Sequence, residues 1–231
     1  MYLRDHKLIF LHIPKCAGTS VEKAFGFFDQ YHGWERQDHR TYREFHPVSL
    51  NPNRFRIRSN FAELTKRLIK KRPNPKANIY PTLSEFQDCE VFAIVRNPYT
   101  RAFSWYKNVI SDQTYWDRFG VSDKTPFNEF LERFVGRDSL RTQMHWLIDF
   151  DDKLPSNIHL LRFENLAEEA SAFFGARNLE VTLGHELKSQ VSSTDGTIFD
   201  DQSKQLIREF FAEDFNALNY SVEFGDRFSS S

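Results

Sequence analysis

The stretch from His12 to Ser20 constrains the fold of this 231-residue chain more than any other. It reads His-Ile-Pro-Lys-Cys-Ala-Gly-Thr-Ser, and it stands between an apolar run, Leu8–Leu11, and an amphipathic run, Val21–Phe25. This order predicts a strand, a tight turn and a helix. A turn of this kind exposes backbone N–H groups at the start of a helix, where the helix dipole favours an anion.

The side chains of this turn also suit a phosphate or a sulfate. Lys15 carries a full positive charge, and Thr19 and Ser20 carry hydroxyl groups. Gly18 allows the backbone to approach a bound group closely. The nucleotide-binding P-loop requires its lysine directly after its second glycine, whereas here the lysine comes before the glycine. The spacing therefore excludes that motif, and the alternative is an ordinary strand–helix turn with a surface lysine.

A second segment, residues 90–105, repeats the pattern of a strand followed by a helix. Val91–Val95 is a continuous apolar run, which is typical of a strand buried on both faces of a parallel sheet. Arg96 follows this strand directly, and an Asn-Pro pair then begins a helix that contains Ser104. Ligands of open α/β sheets bind beyond the carboxyl ends of the strands. We therefore expect both anion-binding elements at one edge of the sheet.

Together the two segments resemble the motifs of the sulfotransferases that use 3′-phosphoadenosine 5′-phosphosulfate (PAPS). The first is similar to their 5′-phosphosulfate loop, His-Ile-Pro-Lys-x-x-Gly-Thr-Ser, and the second to their 3′-phosphate motif, Arg-Asn-Pro-x-x-Arg-x-x-Ser. Weaker similarities follow at 161–166 and 213–220. The resemblance spans about residues 7–224 and is closest to the carbohydrate sulfotransferases and their small, single-domain, bacterial-type relatives. Cys16 departs from the family, in which threonine is common, at a position that contributes mainly backbone.

The resemblance implies a P-loop-like α/β fold with three layers, α/β/α, around a central parallel sheet. The length agrees with one sulfotransferase domain spanning 1–231, and the 40% hydrophobic content is enough for a core. Strands that alternate with helices also indicate a parallel sheet. We predict strands at 7–13, 91–95 and 158–162, and helices at 18–28, 60–72, 98–111, 126–135, 139–148, 166–174 and 200–217. We expect irregular structure at 29–58 and 73–88, an ordered loop at 183–199, and a disordered tail from about 225 to 231.

The resemblance also implies roles in moving an SO₃ group from the phosphosulfate to an acceptor oxygen. Lys15 would stabilise charge on the leaving phosphate, and Arg96 with Ser104 would hold the 3′-phosphate. The residues that would surround the 5′-phosphosulfate are Pro14, Lys15, Cys16, Ala17, Gly18, Thr19 and Ser20. Lys188 lies in a stretch similar to a loop that covers the nucleotide in relatives; it would reach PAPS or be an exposed lysine. The chemistry requires no metal, and we identify no clustered metal ligands in the sequence.

The acceptor hydroxyl requires a base, and histidine suits neutral pH best. The candidates after the first turn are His32, His39 and His46. His39 begins a stretch that resembles the His-x-Thr-x-x-Glu of small family members, so we favour it over His46. A solvated loop histidine is the alternative for each of them. Glu44, at the end of this stretch, is a candidate to orient the base.

Composition narrows the classes of function further. The net charge of −1 gives no indication of a nucleic-acid partner or of an anionic membrane surface. Two cysteines do not make a disulfide framework. We find neither a signal peptide nor an apolar span long enough to cross a bilayer, so we expect a cytoplasmic protein unless a membrane anchor has been removed.

We therefore predict a PAPS-dependent sulfotransferase whose acceptor is a hydroxyl, with carbohydrate as the favoured class. The alternatives are sulfation of a small alcohol or phenol, a kinase-like phosphoryl transferase, and a non-catalytic nucleotide-binding protein. The lack of a Walker loop argues against the kinase. The joint presence of Lys15, Arg96 and Ser104 argues against a non-catalytic protein.

Overall fold

The computed structural model describes residues 1–27, 37–47, 60–62, 65, 69, 71–72, 74–184 and 198–225. The chain divides into two compact units. The first comprises Met1–Val95 and Met144–Gly184, and the second comprises Arg96–Gln143 and His185–Ser231. The chain therefore enters the second unit at Arg96 and leaves it again after Gln143.

The first unit contains a sheet in which the strands follow the order β1-β2-β3-β4. Their bounds are β1 Tyr2–Leu3, β2 Leu8–Leu11, β3 Glu90–Val95 and β4 Ile158–Arg162. Strands β2, β3 and β4 are parallel, with Phe10 opposite Phe92 and Ala93 opposite Leu160. Strand β1 pairs antiparallel with β2. The predicted parallel sheet is thus confirmed for β2, β3 and β4, whereas β1 makes the whole sheet mixed. The sequence does not predict β1, because a strand of two residues has no hydrophobic periodicity.

In chain order, the helices of the described residues are α1 Gly18–Ala24, α2 Tyr42–Phe45, α3 Leu83–Asp88, α4 Pro98–Ile110, α5 Trp116–Phe119, α6 Phe127–Phe134, α7 Met144–Leu147, α8 Leu166–Gly175, α9 Asp201–Phe210 and α10 Ala212–Ala217. Short 3₁₀ segments lie at Arg4–His6, Pro75–Asn78, Gln113–Tyr115, Asp138–Leu140 and Phe163–Asn165. Along the described stretches, we find no helix with the length and apolar character that crossing a membrane requires.

The core of the first unit lies against strands β2 and β3. Every residue of β2 is buried, as is every residue of β3 after Glu90. The Phe92 ring packs 4.9 Å from the ring of Phe10 and 4.9 Å from that of Phe173 on α8. Apolar side chains on both faces are typical of the buried strands of a parallel sheet. Because β2 and β3 are parallel, the turn after β2 lies at the edge of the sheet where β3 also ends.

The second unit is helical and rich in aromatic contacts. Helix α4 begins where the Asn97 side chain accepts a hydrogen bond from the Tyr99 N–H at 2.9 Å, with Pro98 in the first turn. Its buried face packs on α6, and the Tyr106 and Phe130 rings lie 5.3 Å apart. These contacts hold α4 as a rigid helix that starts two residues after Arg96.

The structure differs from the prediction in several stretches. Helix α1 ends at Ala24 rather than at 28, because Gly26 adopts a left-handed φ of 65°. The predicted helix at 139–148 is wrong: the region contains only a 3₁₀ segment and the single turn α7. The predicted helix at 200–217 is divided at Phe211.

Helices α2 and α3 lie in stretches for which the sequence predicts irregular structure, although each helix begins with a capping box. Within 60–72, residues 60–62, 65 and 69 are helical, and six of the thirteen residues lie outside the described residues. Most of 183–199 and all of 226–231 also lie outside them.

Candidate functional site

The turn between β2 and α1 has an unusual backbone. Lys15 and Ala17 both adopt left-handed conformations, with φ of 68° and 59°. Residues other than glycine rarely do so, and each such residue costs about 1–3 kcal/mol unless the surroundings fix it. Alternating conformations of this kind direct backbone N–H groups towards one concave side, which is a known geometry for binding anions.

Exposure alternates along the same turn. Lys15, Ala17 and Thr19 are partly exposed, whereas the residues between and after them are buried. The open side of the turn therefore presents a lysine and a threonine hydroxyl. The Cys16 thiol donates inward to the Pro14 carbonyl at 3.7 Å. Cys16, which replaces the threonine common in the family, therefore has its side chain on the buried side of the turn.

Gly18 has a steric role that the sequence did not reveal. A Cβ atom placed on Gly18 would lie 1.9 Å from Cδ2 and 2.1 Å from Nε2 of His12. No real Cβ tolerates such distances, so the glycine makes room for the His12 imidazole. The ring of His12, itself buried, is consequently fixed against the start of α1.

The structure brings His39 to this turn. Nδ1 of His39 lies 3.0 Å from the carbonyl oxygen of His12, and the two imidazole rings lie 4.2 Å apart. Because a carbonyl oxygen can only accept, Nδ1 must carry the proton. In the neutral ring the lone pair is then on Nε2, which is the nitrogen able to accept a proton from a substrate.

The surroundings also set the protonation state of His39. Burial, reinforced by nearby His12, lowers the pKa of His39 well below its ordinary value of 6.5. The imidazole is therefore neutral at neutral pH, as a general base must be before it acts.

The residues next to His39 are held firmly. The Arg40 guanidinium, fully buried, donates to both carboxylate oxygens of Asp38 at 2.8 and 2.6 Å. It lies 4.1 Å from the centre of the Phe45 ring. On the other side, the Gln37 side-chain amide donates to the Thr19 hydroxyl at 2.8 Å. These contacts join the segment that contains His39 to the turn and to the core.

Glu22 is a further polar residue that the sequence did not single out. It lies on α1, and its Oε1 atom is 2.8 Å from Nδ1 of His12. The same oxygen accepts a hydrogen bond from the backbone N–H of Asp38 at 2.9 Å. Nothing in the local sequence distinguishes this glutamate from a surface residue of an amphipathic helix.

The other sequence candidates occupy different surroundings. The His46 ring packs 4.9 Å from that of Phe86 and 5.6 Å from that of Phe150, and its Nδ1 donates to the Pro47 carbonyl at 2.9 Å. Glu44 accepts from the backbone N–H of Thr41 and from Arg72, so the His-x-Thr-x-x-Glu stretch contains a capping box. Two further predicted residues, His32 and Lys188, lie outside the described residues.

In the second unit, Arg96 lies two residues before Pro98, the first residue of α4. The guanidinium Nε donates to the Thr100 hydroxyl at 3.1 Å. Thr100 and Ser104 are four residues apart on α4, so they share one face of the helix. The bond to Thr100 therefore directs the Arg96 side chain towards the face that contains Ser104.

The backbone of Arg96 is fixed by a buried glutamine. Oε1 of Gln143 accepts from the Arg96 N–H at 2.9 Å, and its Nε2 donates to the Arg96 carbonyl at 2.8 Å. The Gln143 N–H in turn donates to the Asp214 carboxylate at 2.8 Å. Gln143 and Asp214 are fully buried, and neither was identified from the sequence.

Across the described part of the chain, no cluster of three or more histidine, cysteine, aspartate or glutamate residues could hold a metal ion.

Comparison with known protein families gives one result. The model of the sulfotransferase family matches residues 1–221, which include the turn after β2, His39 and the segment from Arg96 to Ser104. Searches of curated proteins and of solved structures found no match. The matched segment covers nearly the whole chain, and the sheet described above agrees with the P-loop-like α/β fold of this family. The chain therefore belongs to the sulfotransferase family, whose members transfer sulfuryl groups.

Proposed function

We propose that this protein transfers the sulfuryl group of PAPS to a hydroxyl group of a carbohydrate. The observation that carries the proposal is the attachment of His39 to the turn that contains Lys15, through the carbonyl of His12 at 3.0 Å. A neutral base and a cation are thereby built onto one short stretch of backbone. Sulfuryl transfer to a hydroxyl requires both, one for the acceptor and one for the leaving group.

The turn after β2 fits a phosphosulfate. Its left-handed Lys15 and Ala17 are of the kind found in anion-binding turns, and Lys15 and Thr19 are partly exposed on it. When bound, PAPS would supply the SO₃ group and a phosphate leaving group. Lys15 would place its ammonium where negative charge grows on that phosphate, so its contribution would be larger in the transition state than in the ground state.

His39 would accept the proton of the acceptor hydroxyl at Nε2. The hydrogen bond from Nδ1 to the His12 carbonyl fixes the tautomer whose lone pair is on Nε2, a buried atom that the acceptor hydroxyl would have to reach. The lowered pKa of His39 keeps this nitrogen unprotonated at neutral pH. The residues on either side of it, held by Thr19 and by the Asp38–Arg40 pair, would keep the imidazole in place while the hydroxyl binds.

Arg96, just before α4, and Ser104, within α4, would hold the 3′-phosphate that distinguishes PAPS from most other adenine nucleotides. A charge-assisted contact of this type is worth about 1.5–3 kcal/mol. Lys188 stays a predicted nucleotide contact.

The resemblance of both motifs to the carbohydrate branch supports a sugar hydroxyl as the acceptor. The experiment that tests this proposal incubates the protein with labelled PAPS and a panel of sugars, small alcohols and phenols. Transfer of label to sugars supports the proposal, whereas transfer to phenols alone would overturn the choice of acceptor. Transfer to none of them would overturn the activity itself.

A further inference from the structure

Glu22 is a buried carboxylate with no role in the reaction described so far. It is 2% exposed, although it lies on a short helix at the edge of the sheet. Burying a carboxylate is costly unless hydrogen bonds compensate it. Two hydrogen bonds converge on Oε1 of Glu22, one from Nδ1 of His12 and one from the backbone N–H of Asp38.

These bonds surround His39 on two sides. The backbone carbonyl of His12 accepts a hydrogen bond from Nδ1 of His39, and the two imidazole rings lie 4.2 Å apart. Asp38 precedes His39 directly, so a bond to its N–H fixes the backbone that leads into His39. Glu22 therefore joins the partner of the imidazole to the peptide that presents it.

We propose that Glu22 is the positioning residue of the base, and that it holds the His39 imidazole in place through His12 and Asp38. The inference rests on the proposed function, because it assigns Glu22 to the residue that would accept the proton. Glu22 does not touch the acceptor in this account. It acts by holding His12, which accepts the hydrogen bond from the His39 ring, at a fixed distance from Asp38, which precedes His39 in the chain.

The position of the oxygen, rather than the charge alone, is what this role requires. Glutamine keeps an oxygen of the same reach that can accept two hydrogen bonds, but it loses the charge. Aspartate keeps the charge but draws the oxygen back by one methylene group. The positioning role therefore predicts that Glu22→Gln retains more activity than Glu22→Asp, and that Glu22→Ala is at least as damaging as Glu22→Asp.

The kinetic test measures kcat for these variants in the wild-type background and in the His39→Ala background. We expect Glu22→Asp to lower kcat on the order of 10-fold to 100-fold when His39 is present, because small displacements of a reacting group have effects of this size. In the His39→Ala background the same change should cause no further loss. Lys23→Ala, on the exposed side of the same helix, is the control for damage to α1 itself.

Equal losses in both backgrounds would show that Glu22 acts on stability or on the nucleotide, and would overturn the proposal. So would a Glu22→Asp variant that is more active than Glu22→Gln. If Glu22→Ala fails to fold, the comparison of aspartate with glutamine still decides the question. Calorimetric titration with 3′-phosphoadenosine 5′-phosphate gives the folded, binding-competent fraction of each variant.

A second readout does not depend on activity. The ¹⁵N chemical shifts of the His39 ring distinguish the Nδ1–H from the Nε2–H tautomer. We expect the Nδ1–H tautomer in the wild type and a mixture of both in Glu22→Asp. If the wild type transfers no sulfuryl group, the proposed function fails while this measurement still tests the position of His39. An unchanged tautomer in Glu22→Asp would overturn the inference about Glu22 alone.

Discussion

The imidazole of His39 donates its Nδ1 proton to the carbonyl oxygen of His12, which lies 27 positions earlier in the chain, at 3.0 Å. This bond has two chemical consequences. It selects the tautomer with the lone pair on Nε2, and it attaches that nitrogen to the turn that contains Lys15. The proposed role of His39 as the base depends on this bond.

Replacing the base should remove most of the activity. We expect His39→Ala to lower kcat by roughly 10²–10⁴, the usual contribution of a positioned general base. The affinity for 3′-phosphoadenosine 5′-phosphate should change little, because His39 is not part of either anion motif. Steady-state kinetics and calorimetry test the two halves of this prediction. His46→Ala is the matched control and should do less; a damaging His46→Ala with a silent His39→Ala would place the base seven residues later.

The pH dependence of the rate should show the lowered pKa of His39. Only the neutral imidazole accepts a proton, so the rate rises with pH as the ring loses its own proton and then reaches a plateau. Burial lowers the pKa of His39 well below 6.5, so this rise should be centred well below pH 6.5. A profile of kcat/KM against pH measures it. A rise centred above pH 6.5 that disappears in His39→Ala would contradict the environment described for this ring.

Gly18 should be intolerant of even the smallest side chain. In Gly18→Ala the new Cβ would meet the His12 ring at 1.9 Å, so either the ring or the start of α1 must move. We expect a loss of about 1–3 kcal/mol in the free energy of unfolding, as for other overpacked sites, together with reduced kcat. Urea denaturation measures the first. Gly175→Ala, where a Cβ meets no atom within 4 Å, is the control and should be neutral or slightly stabilising. Equal stability of the two variants would refute the steric role of Gly18.

The protein should bind 3′-phosphoadenosine 5′-phosphate more tightly than AMP by about 1.5–3 kcal/mol, because Arg96 and Ser104 would contact the extra phosphate. Arg96→Ala should abolish this preference. Gln143→Ala should reduce it, since both backbone bonds to Arg96 would be lost. Calorimetry with both nucleotides measures the preference. Equal affinity of the wild type for the two nucleotides would contradict the assignment of Arg96 and Ser104.

The regular elements of this protein were largely predictable because their signals are local. The apolar run at 91–95 and the predicted strand at 158–162 correspond to β3 and β4, and the Asn-Pro pair marks the start of α4. The predicted bounds differ from the structure at two further local signals, Gly26, which ends α1, and the capping box that begins α2.

The supports of the candidate site could not be predicted in the same way. Glu22 is 16 positions from Asp38, and Gln143 is 47 positions from Arg96 and 71 from Asp214. Each of these side chains has a role only because the fold buries it next to a distant backbone group. The residues that would contact the nucleotide lie within short motifs, which the sequence shows directly, whereas the residues that hold them do not.

The most direct test of the account is the transfer of label from PAPS to a sugar hydroxyl by the wild type and by Lys15→Ala. Lys15 is partly exposed on a turn, so its removal should leave the protein folded. It would lie where charge develops on the leaving phosphate, so its removal should nearly abolish turnover. The account predicts labelled sugar with the wild type and almost none with Lys15→Ala, with both proteins equally resistant to urea. Wild-type kcat in Lys15→Ala, or magnesium-dependent transfer of phosphate from ATP in place of sulfuryl transfer, would contradict it.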